Sequence, residues 1–413
     1  MIKRLVVKGL NHRADGTHDL EFHPDLNIFT GPNGSGKTTL LKLIWYLISG
    51  NLERVLAEIP FQFVSVETDV LSLDMAWVDN QKWDSTLQFD GQHPFGESKV
   101  ELKWQFTGGE ESSETLAVDS ETGAIRRADV AQINALNKRI AQTTKSSIFF
   151  PTFRRIEGGF SSISRELDEL SMRFLTSAPE MLQHSMSQFS TEMSVNGHKF
   201  VASISTDDLG ELLTQKYADI YEEISGLQSR VLTDISKKIE NSAGKADASE
   251  TQMPQDVTSV VNAIKQADEQ RDLLRKPFSV LSDLTRQLLQ HQAIRVTGQV
   301  ASGERTDGIT LGAGKDGITL GEAKEAISSD KLSAGEKQML SFLCYNAFSD
   351  NSAIFIDEPE LSLHGDWQRL LLPVLLQQQT GNQFFVATHS PFIYAKYPDK
   401  DFFLGKTHAG GKI

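Results

Sequence analysis

Long apolar runs, cysteine and surplus positive charge are what this chain of 413 residues lacks. No apolar stretch approaches the ~18 residues that cross a bilayer, so no membrane partner is expected. The opening MIKRLVVKGL has too short an apolar part for a secretory signal and reads as a strand. A lone cysteine, Cys344, excludes an internal disulfide and suits a reducing, cytoplasmic setting. It lies in the apolar run 339–344, which points to a core position rather than a reactive one. Acidic residues outnumber basic ones by 55 to 41, giving a formal charge of −14. That balance argues against an unspecific hold on nucleic acid, where phosphate neutralisation supplies the affinity. A local basic groove stays open. Hydrophobic content of 39% and charged content of 23% are ordinary for a soluble globular protein with a substantial core.

What is present begins with Gly31-Pro32-Asn33-Gly34-Ser35-Gly36-Lys37-Thr38, a G-x-x-x-x-G-K-[ST] loop. The buried strand Leu26–Thr30 runs into it. A helix from Thr38 to about Ile48 leaves it, with Leu40, Leu41, Ile44 and Leu47 at helical spacing. Residues 60–107 read as an antiparallel sheet in which Val100, Leu102, Trp104 and Phe106 alternate with polar partners. A helix over 128–142 presents Val130, Ile133, Leu136 and Ile140, and 146–150 returns as a strand. From about 207 to 240, Leu213, Tyr217, Ile220, Ile224, Leu227, Val231, Ile235 and Ile239 form one continuous helical face. A second helix over about 256–291 is expected to break or kink at Pro277. Together they predict an antiparallel hairpin of net charge −5 over residues 206–291, suited to protein contact or dimer bracing rather than DNA tracking. The tandem segments 307–312 and 316–321, both DGITLG, read as a small hairpin. Contact with nucleotide and simple local duplication both remain open for it.

The chemistry lies in four pieces. Loop N–H groups from Gly31 to Thr39 can surround a phosphate, Lys37 adds a point charge, and the Thr38 hydroxyl is a ligand for Mg²⁺. The apolar strand 353–357 ends in Asp357 and Glu358, one acid for Mg²⁺ and the next for polarising water as a general base. The buried strand 384–388 ends at His389, which can reach a γ-phosphate and the attacking water. Leu332-Ser333-Ala334-Gly335-Glu336 starts a helix, with Ser333 as N-cap and Glu336 three residues on. Simple capping explains that pattern; a phosphate at the same helix N-terminus does too.

In this order, GPNGSGKT, LSAGEKQ, IFIDEPELSLH and ATHSPF resemble ABC-type ATPases of the RecF, SMC and OLD (overcoming lysogenization defect) branch. The likeness covers residues 1–50 and 328–405. It implies an α/β P-loop NTPase of the ABC type, with an antiparallel β-rich lobe and an inserted antiparallel helical hairpin. It divides the chain into a first ATPase lobe over 1–155, a helical insertion over 156–300 and a second ATPase lobe over 301–413. The cofactors implied are ATP and Mg²⁺, in a site completed by a second copy of the chain. Lys37, Thr38, Asp357, Glu358 and His389 would act on the nucleotide of their own subunit, while Ser333 and Gly335 would touch the one opposite. The residues 360–364 would cross the dimer centre. One departure stands out: the branch's magnesium-contacting glutamine is not evident, and its place holds Pro151-Thr152-Phe153-Arg154-Arg155. For Arg154 and Arg155, contact with nucleotide or nucleic acid and a structural ion pair both stay open.

The interval of 296 positions from Lys37 to Ser333 is too short for a long SMC coiled coil. Only 24 follow His389, so the Toprim nuclease domain of OLD-type proteins is expected to be missing. No second metal-carboxylate cluster or Cys/His set suggests another catalytic centre. The resemblance is then to stand-alone ATPase subunits of bacterial anti-phage systems, PARIS-like and Septu-like. These work with a separate nuclease or toxin and a phage-derived trigger. A RecF-like repair ATPase that clamps DNA is the alternative.

Overall fold

In the computed structural model, residues 1–12, 16–78, 97–119, 122–152, 155–156, 178–204, 206–243, 253–289, 293–296, 305–306, 309–311, 318–321, 326–328 and 332–405 are described. Arg154 lies outside them, as do the side chain of Arg155 and the turn of the DGITLG repeat. Two compact units make up the chain. One comprises Met1–Ile156, Asp168–Ser203 and Ser349–Ile413, and the other centres on Ile204–Phe348.

The first unit opens with β1 (Ile2–Lys8), β2 (His18–Glu21), β3 (Leu26–Thr30), α1 (Lys37–Ser49) and α2 (Leu52–Glu58). Then come β4 (Phe63–Thr68), β5 (Leu71–Trp77), β6 (Glu97–Phe106), β7 (Ser112–Asp119), α3 (Val130–Thr143), β8 (Ser147–Phe150), β9 (Arg155–Ile156), α4 (Ala178–Met193) and β10 (His198–Phe200). Strands β2-β1-β4-β5-β6-β7 form an antiparallel sheet in that order. Alternation decides its faces: Val64, Val66, Leu73, Met75, Val100, Leu102, Leu116 and Val118 are buried, while Lys99 and Lys103 are exposed. Helix α1 is apolar almost all round, and Leu40, Leu41 and Leu43–Ile48 all join one core cluster. It stops at Gly50, whose left-handed φ of 71° lets its N–H bond the Tyr46 carbonyl. In α3, Ile133, Leu136 and Ile140 are buried as expected, whereas Val130 is exposed.

The second unit holds β11 (Ser203–Ile204) at its edge, then α5 (Thr206–Ala243), α6 (Met253–Leu289), β12 (Ala293–Val296), β13 (Arg305–Thr306), β14 (Ile309–Leu311), β15 (Ile318–Gly321), β16 (Ala326–Ser328) and α7 (Ala334–Ala347). Helices α5 and α6, each about 55 Å long at ~1.5 Å per residue, pack together. Tyr217 near the start of α5 meets Phe278 near the end of α6, at 5.7 Å between ring centroids, so the pair is antiparallel. Of the break or kink expected at Pro277, the break does not occur: α6 runs through it. Proline removes the hydrogen bond to the carbonyl four residues back, here Leu273. Leu273 is 66% exposed, so water can take up that carbonyl. The two copies of the DGITLG repeat pair with each other, Ile309 opposite Leu320 and Leu311 opposite Ile318. They pair antiparallel as the expected hairpin requires, within a five-stranded sheet ordered β13-β14-β15-β12-β16.

Returning to the first unit, the chain forms β17 (Ala353–Asp357), α8 (Gly365–Gln377), β18 (Gln383–Ala387), α9 (Pro391–Tyr394) and β19 (Asp401–Phe403). A parallel sheet results, ordered β10-β8-β17-β18-β3-β19. Every residue of β3, β8, β17 and β18 is buried, as parallel sheets covered on both faces require. Phe149, Phe355 and Phe385 stack across three neighbouring strands, at centroid spacings of 6.1 and 4.8 Å. In α8, Pro373 leaves the Arg369 carbonyl without its helical partner. The Lys396 ammonium beside α9 donates to that carbonyl at 3.3 Å.

Candidate functional site

The parallel register aligns Phe29, Ala387 and Asp357 across β3, β18 and β17. Whatever follows these strands meets at one edge, where open α/β sheets hold their ligands. The glycine loop leaves β3. At Gly31 φ is 140°, and a Cβ there would collide with the Leu404 carbonyl oxygen, so no other residue fits without movement. The Ser35 N–H bonds the Pro32 carbonyl at 3.1 Å, closing the loop, and Gly36 precedes the helix. Pro32, Asn33 and Gly34 are exposed. The Ser35 hydroxyl is buried without a hydrogen-bond partner. Asn11, itself left-handed at φ 55°, donates from Nδ2 to the Thr39 hydroxyl at 3.5 Å.

Lys37 is buried, and its ammonium donates to the carbonyls of Gly31 and Pro32 at 3.1 and 3.3 Å. It stands 2.6 Å from His389 Nε2. Burial holds Lys37 below its ordinary lysine value, against the opposing pull of Glu358, Asp357 and Glu360. His389 is likewise lowered, by burial and then by Lys37. The Thr38 hydroxyl lies 2.9 and 3.0 Å from the two oxygens of Asp357. Thr152 donates its hydroxyl to the same carboxylate.

Glu358 follows Asp357 with φ 48°, a left-handed conformation rare for a residue with a long side chain. Its N–H is anchored on the Ala387 carbonyl at 2.9 Å, which ties β17 to β18 at the moment the chain turns. Its Oε1 lies 3.3 Å from His389 Nε2. Burial first, and then the carboxylates of Glu360 and Asp357, push Glu358 up to about 8. A carboxyl whose pKa approaches neutrality is suited to taking and giving protons.

Five of the residues singled out from sequence are therefore neighbours: Lys37, Thr38, Asp357, Glu358 and His389. The segment Ser333–Glu336 belongs to the second unit. There Ser333 caps α7 with the full capping box: Glu336 N–H donates to Ser333 Oγ at 3.4 Å, and Ser333 N–H to Glu336 Oε2 at 2.7 Å. Ser333 and Ala334 are exposed, while Gly335 is buried. Cys344, on the same helix, is buried and its thiol is pushed up by that burial, as its apolar neighbours implied. Two participants were missed. Thr152 occupies the place where the glutamine was sought, but a lone hydroxyl carries no motif. Glu360 accepts from the Thr388 hydroxyl and the His389 N–H at 2.8 and 2.6 Å; its signal was an acid three residues beyond Asp357.

The residues fit a magnesium triphosphate. Thr38, Thr152 and Asp357 converge as hard oxygen donors, and the unpartnered Ser35 hydroxyl and the buried Lys37 line a loop whose glycines admit close approach. Among the described residues, no group of three or more His, Cys, Asp or Glu side chains is placed to hold a metal ion, and no helix is long and apolar enough to cross a membrane.

The chain has relatives among known proteins. A stretch of 63 residues is 41% identical to Endonuclease GajA of Bacillus cereus (strain VD045), covering 14% of this chain and 11% of that protein. The chain thus spans about a tenth of that relative's length. Among solved structures, it is similar to the Smc head domain with an extended coiled coil bound to the C-terminal domain of ScpA, from Pyrococcus furiosus. Identity there is 13%, with 95% of this chain and 91% of that one covered and a TM-score of 0.35. A SmcHead bound to the C-winged helix domain of ScpA gives 12% identity, the same coverage and a TM-score of 0.34. The description AAA ATPase domain matches residues 1–394, from β1 through the glycine loop, α7, the Asp357–Glu358 turn and His389. With its glycine loop set between a buried parallel strand and α1, this is an α/β ATPase, and the chain belongs to the AAA ATPase domain family.

Proposed function

We propose that this ATPase works as a nucleotide-driven sensor or scaffold, whose ATP-bound homodimer controls a separate nuclease or toxin in anti-phage defence. The observation that carries its chemistry is the meeting of Lys37, Thr38, Asp357, Glu358 and His389 at three adjacent strand ends. In this reading the loop from Gly31 to Thr39 wraps the phosphates with its N–H groups, and Lys37 leaves its carbonyl partners for the β- and γ-oxygens. Thr38 and Asp357 would hold Mg²⁺, and the ion would supply charge neutralisation at the phosphates. Glu358 draws the proton from the attacking water, and His389 Nε2 donates toward the γ-phosphate. Ser333, Ala334, Gly335 and Glu336 of a second copy close the site from the other side. There the exposed capped N-terminus of α7 offers N–H groups and a hydroxyl to the γ-phosphate.

The effector half of the proposal is supported by the stretch similar to an endonuclease and by the −14 charge, which disfavours a DNA clamp. A mixture of Lys37→Ala and Ser333→Arg chains tests the shared site, because each mixed dimer retains one intact composite site. Recovered ATPase activity is expected; none at any mixing ratio would defeat catalysis across two copies. Affinity purification from cells carrying the neighbouring genes tests the effector, with a nuclease or toxin expected in the ATP-bound fraction. If instead duplex ends stimulate turnover with a steep salt dependence, the RecF-like reading replaces this one.

A further inference from the structure

Glu360 has no role in the reading above, yet its carboxylate is fully engaged. One oxygen accepts the main-chain N–H of His389 at 2.6 Å and the other the hydroxyl of Thr388 at 2.8 Å. Thr388 is buried, and the same hydroxyl accepts the Ser390 N–H at 3.0 Å. Ser390 Oγ then donates to Gln368 Oε1 at 2.6 Å, and Gln368 Nε2 donates to the Leu363 carbonyl at 2.8 Å. Leu363 N–H returns to the Glu360 carbonyl at 3.0 Å. A closed ring of hydrogen bonds thus joins the turn after β17 to the turn after β18. Its two strongest members are the charge-assisted ones at Glu360.

We propose that Glu360 is a positioning residue for ATP hydrolysis: it fixes the main chain at Thr388–His389 and so sets where the His389 imidazole stands against Lys37 and Glu358. This rests on the role given to His389 above. The ring's own contacts, with Lys37 at 2.6 Å and Glu358 at 3.3 Å, are with groups that the nucleotide and attacking water would engage. His389 stands two residues beyond Ala387, the last residue of β18, and the next residue, Ser390, already caps α9 by accepting the Phe392 N–H at 3.2 Å. Without the Glu360 acceptor, a buried hydroxyl and an N–H lose their partners, and a main-chain rotation that recovers them would swing the ring. Displacement of a catalytic group by about an ångström lowers the rate without a comparable loss of binding.

The test is a double-mutant cycle on the full chain, with single-turnover hydrolysis of radiolabelled ATP and KM measured for each protein. Glu360→Ala should lower kcat about tenfold to a hundredfold while KM for ATP stays within about threefold. Glu360→Gln, which keeps one acceptor oxygen, should fall less. Adding either change to His389→Ala should cost no more than about twofold, since the group it acts through is gone. Thermal melts and nucleotide binding check folding; if Glu360→Ala does not fold, the Glu360→Gln arm is read in both backgrounds. A loss as large in the His389→Ala background as in wild type would overturn the proposal, as would a loss confined to KM. Wild-type kcat in Glu360→Ala, beside a crippled His389→Ala, would overturn it alone. Wild-type turnover in His389→Ala would remove the underlying role of His389 as well.

Discussion

The two units solve different physical problems with the same residue types. In the first, aromatic and aliphatic side chains are buried on both faces of a parallel sheet, and α1 is enclosed nearly all round. In the second, α5 and α6 bury one stripe each and leave Tyr221, Leu232, Val261, Ile264 and Leu273 exposed. Strands gripped on every side end at fixed places, which a constellation of Lys37, Asp357, Glu358 and His389 needs. A long two-helix hairpin with a thin seam gains little from any single contact. Precision at strand ends is bought with density; reach is obtained without it.

The largest effect that would sharpen this contrast is chemical. Glu358→Gln is expected to retain ATP binding and lower turnover by roughly 10²–10⁴-fold, measured by single-turnover assays beside equilibrium binding. Near-normal turnover would remove Glu358 as the base. Next, Phe355→Ala in the stacked row should cost about 3–5 kcal/mol in denaturant unfolding. The matching change in the hairpin, Leu273→Ala, should stay within about 0.5 kcal/mol. Equal costs would erase the distinction between the units.

A third expectation concerns His198, buried between Ser147 Oγ at 2.7 Å and Thr144 Oγ1 at 3.2 Å. Burial lowers it to about 4. In the unfolded chain a histidine takes its proton near the ordinary value of ~6.5, so acid favours the unfolded form. The neutral ring's contribution is complete above about pH 6.5 and is lost as pH falls toward 4, by about 3 kcal/mol in all. Urea midpoints across that window check this, and His198→Gln should flatten the dependence. The smallest effect is at the capping box: Ser333→Ala should cost about 1 kcal/mol of stability, far less than it costs ATPase activity if the shared site is right.

Much of this was legible because the chemistry demands fixed residue types at fixed spacing. The glycine loop, the paired acids after an apolar strand and the capped helix start all carry such constraints, and each lies on the element its pattern required. The seam of α5 followed its spacing too, with Leu213 and Ile224 buried. Thr152 was not legible, since a hydroxyl reaching Asp357 from a neighbouring strand end is a matter of tertiary distance alone. Sequence could not choose between a break and a kink at Pro277, because the penalty depends on which way the freed carbonyl faces; the helix does not break. Edge strand β10 was also hidden, because three residues, His198–Phe200, are too few to show a period.

The strand order has one more consequence, in time rather than space. Strand β3, which launches the glycine loop, has as its neighbours β18 and β19, made more than 350 residues later. During synthesis the loop and α1 emerge long before the strands that fix them, and the most apolar helix of the unit awaits its cover. Slow closure of such distant pairings is expected. A ribosome stalled before residue 383 should therefore hold a chain that binds chaperones and no ATP.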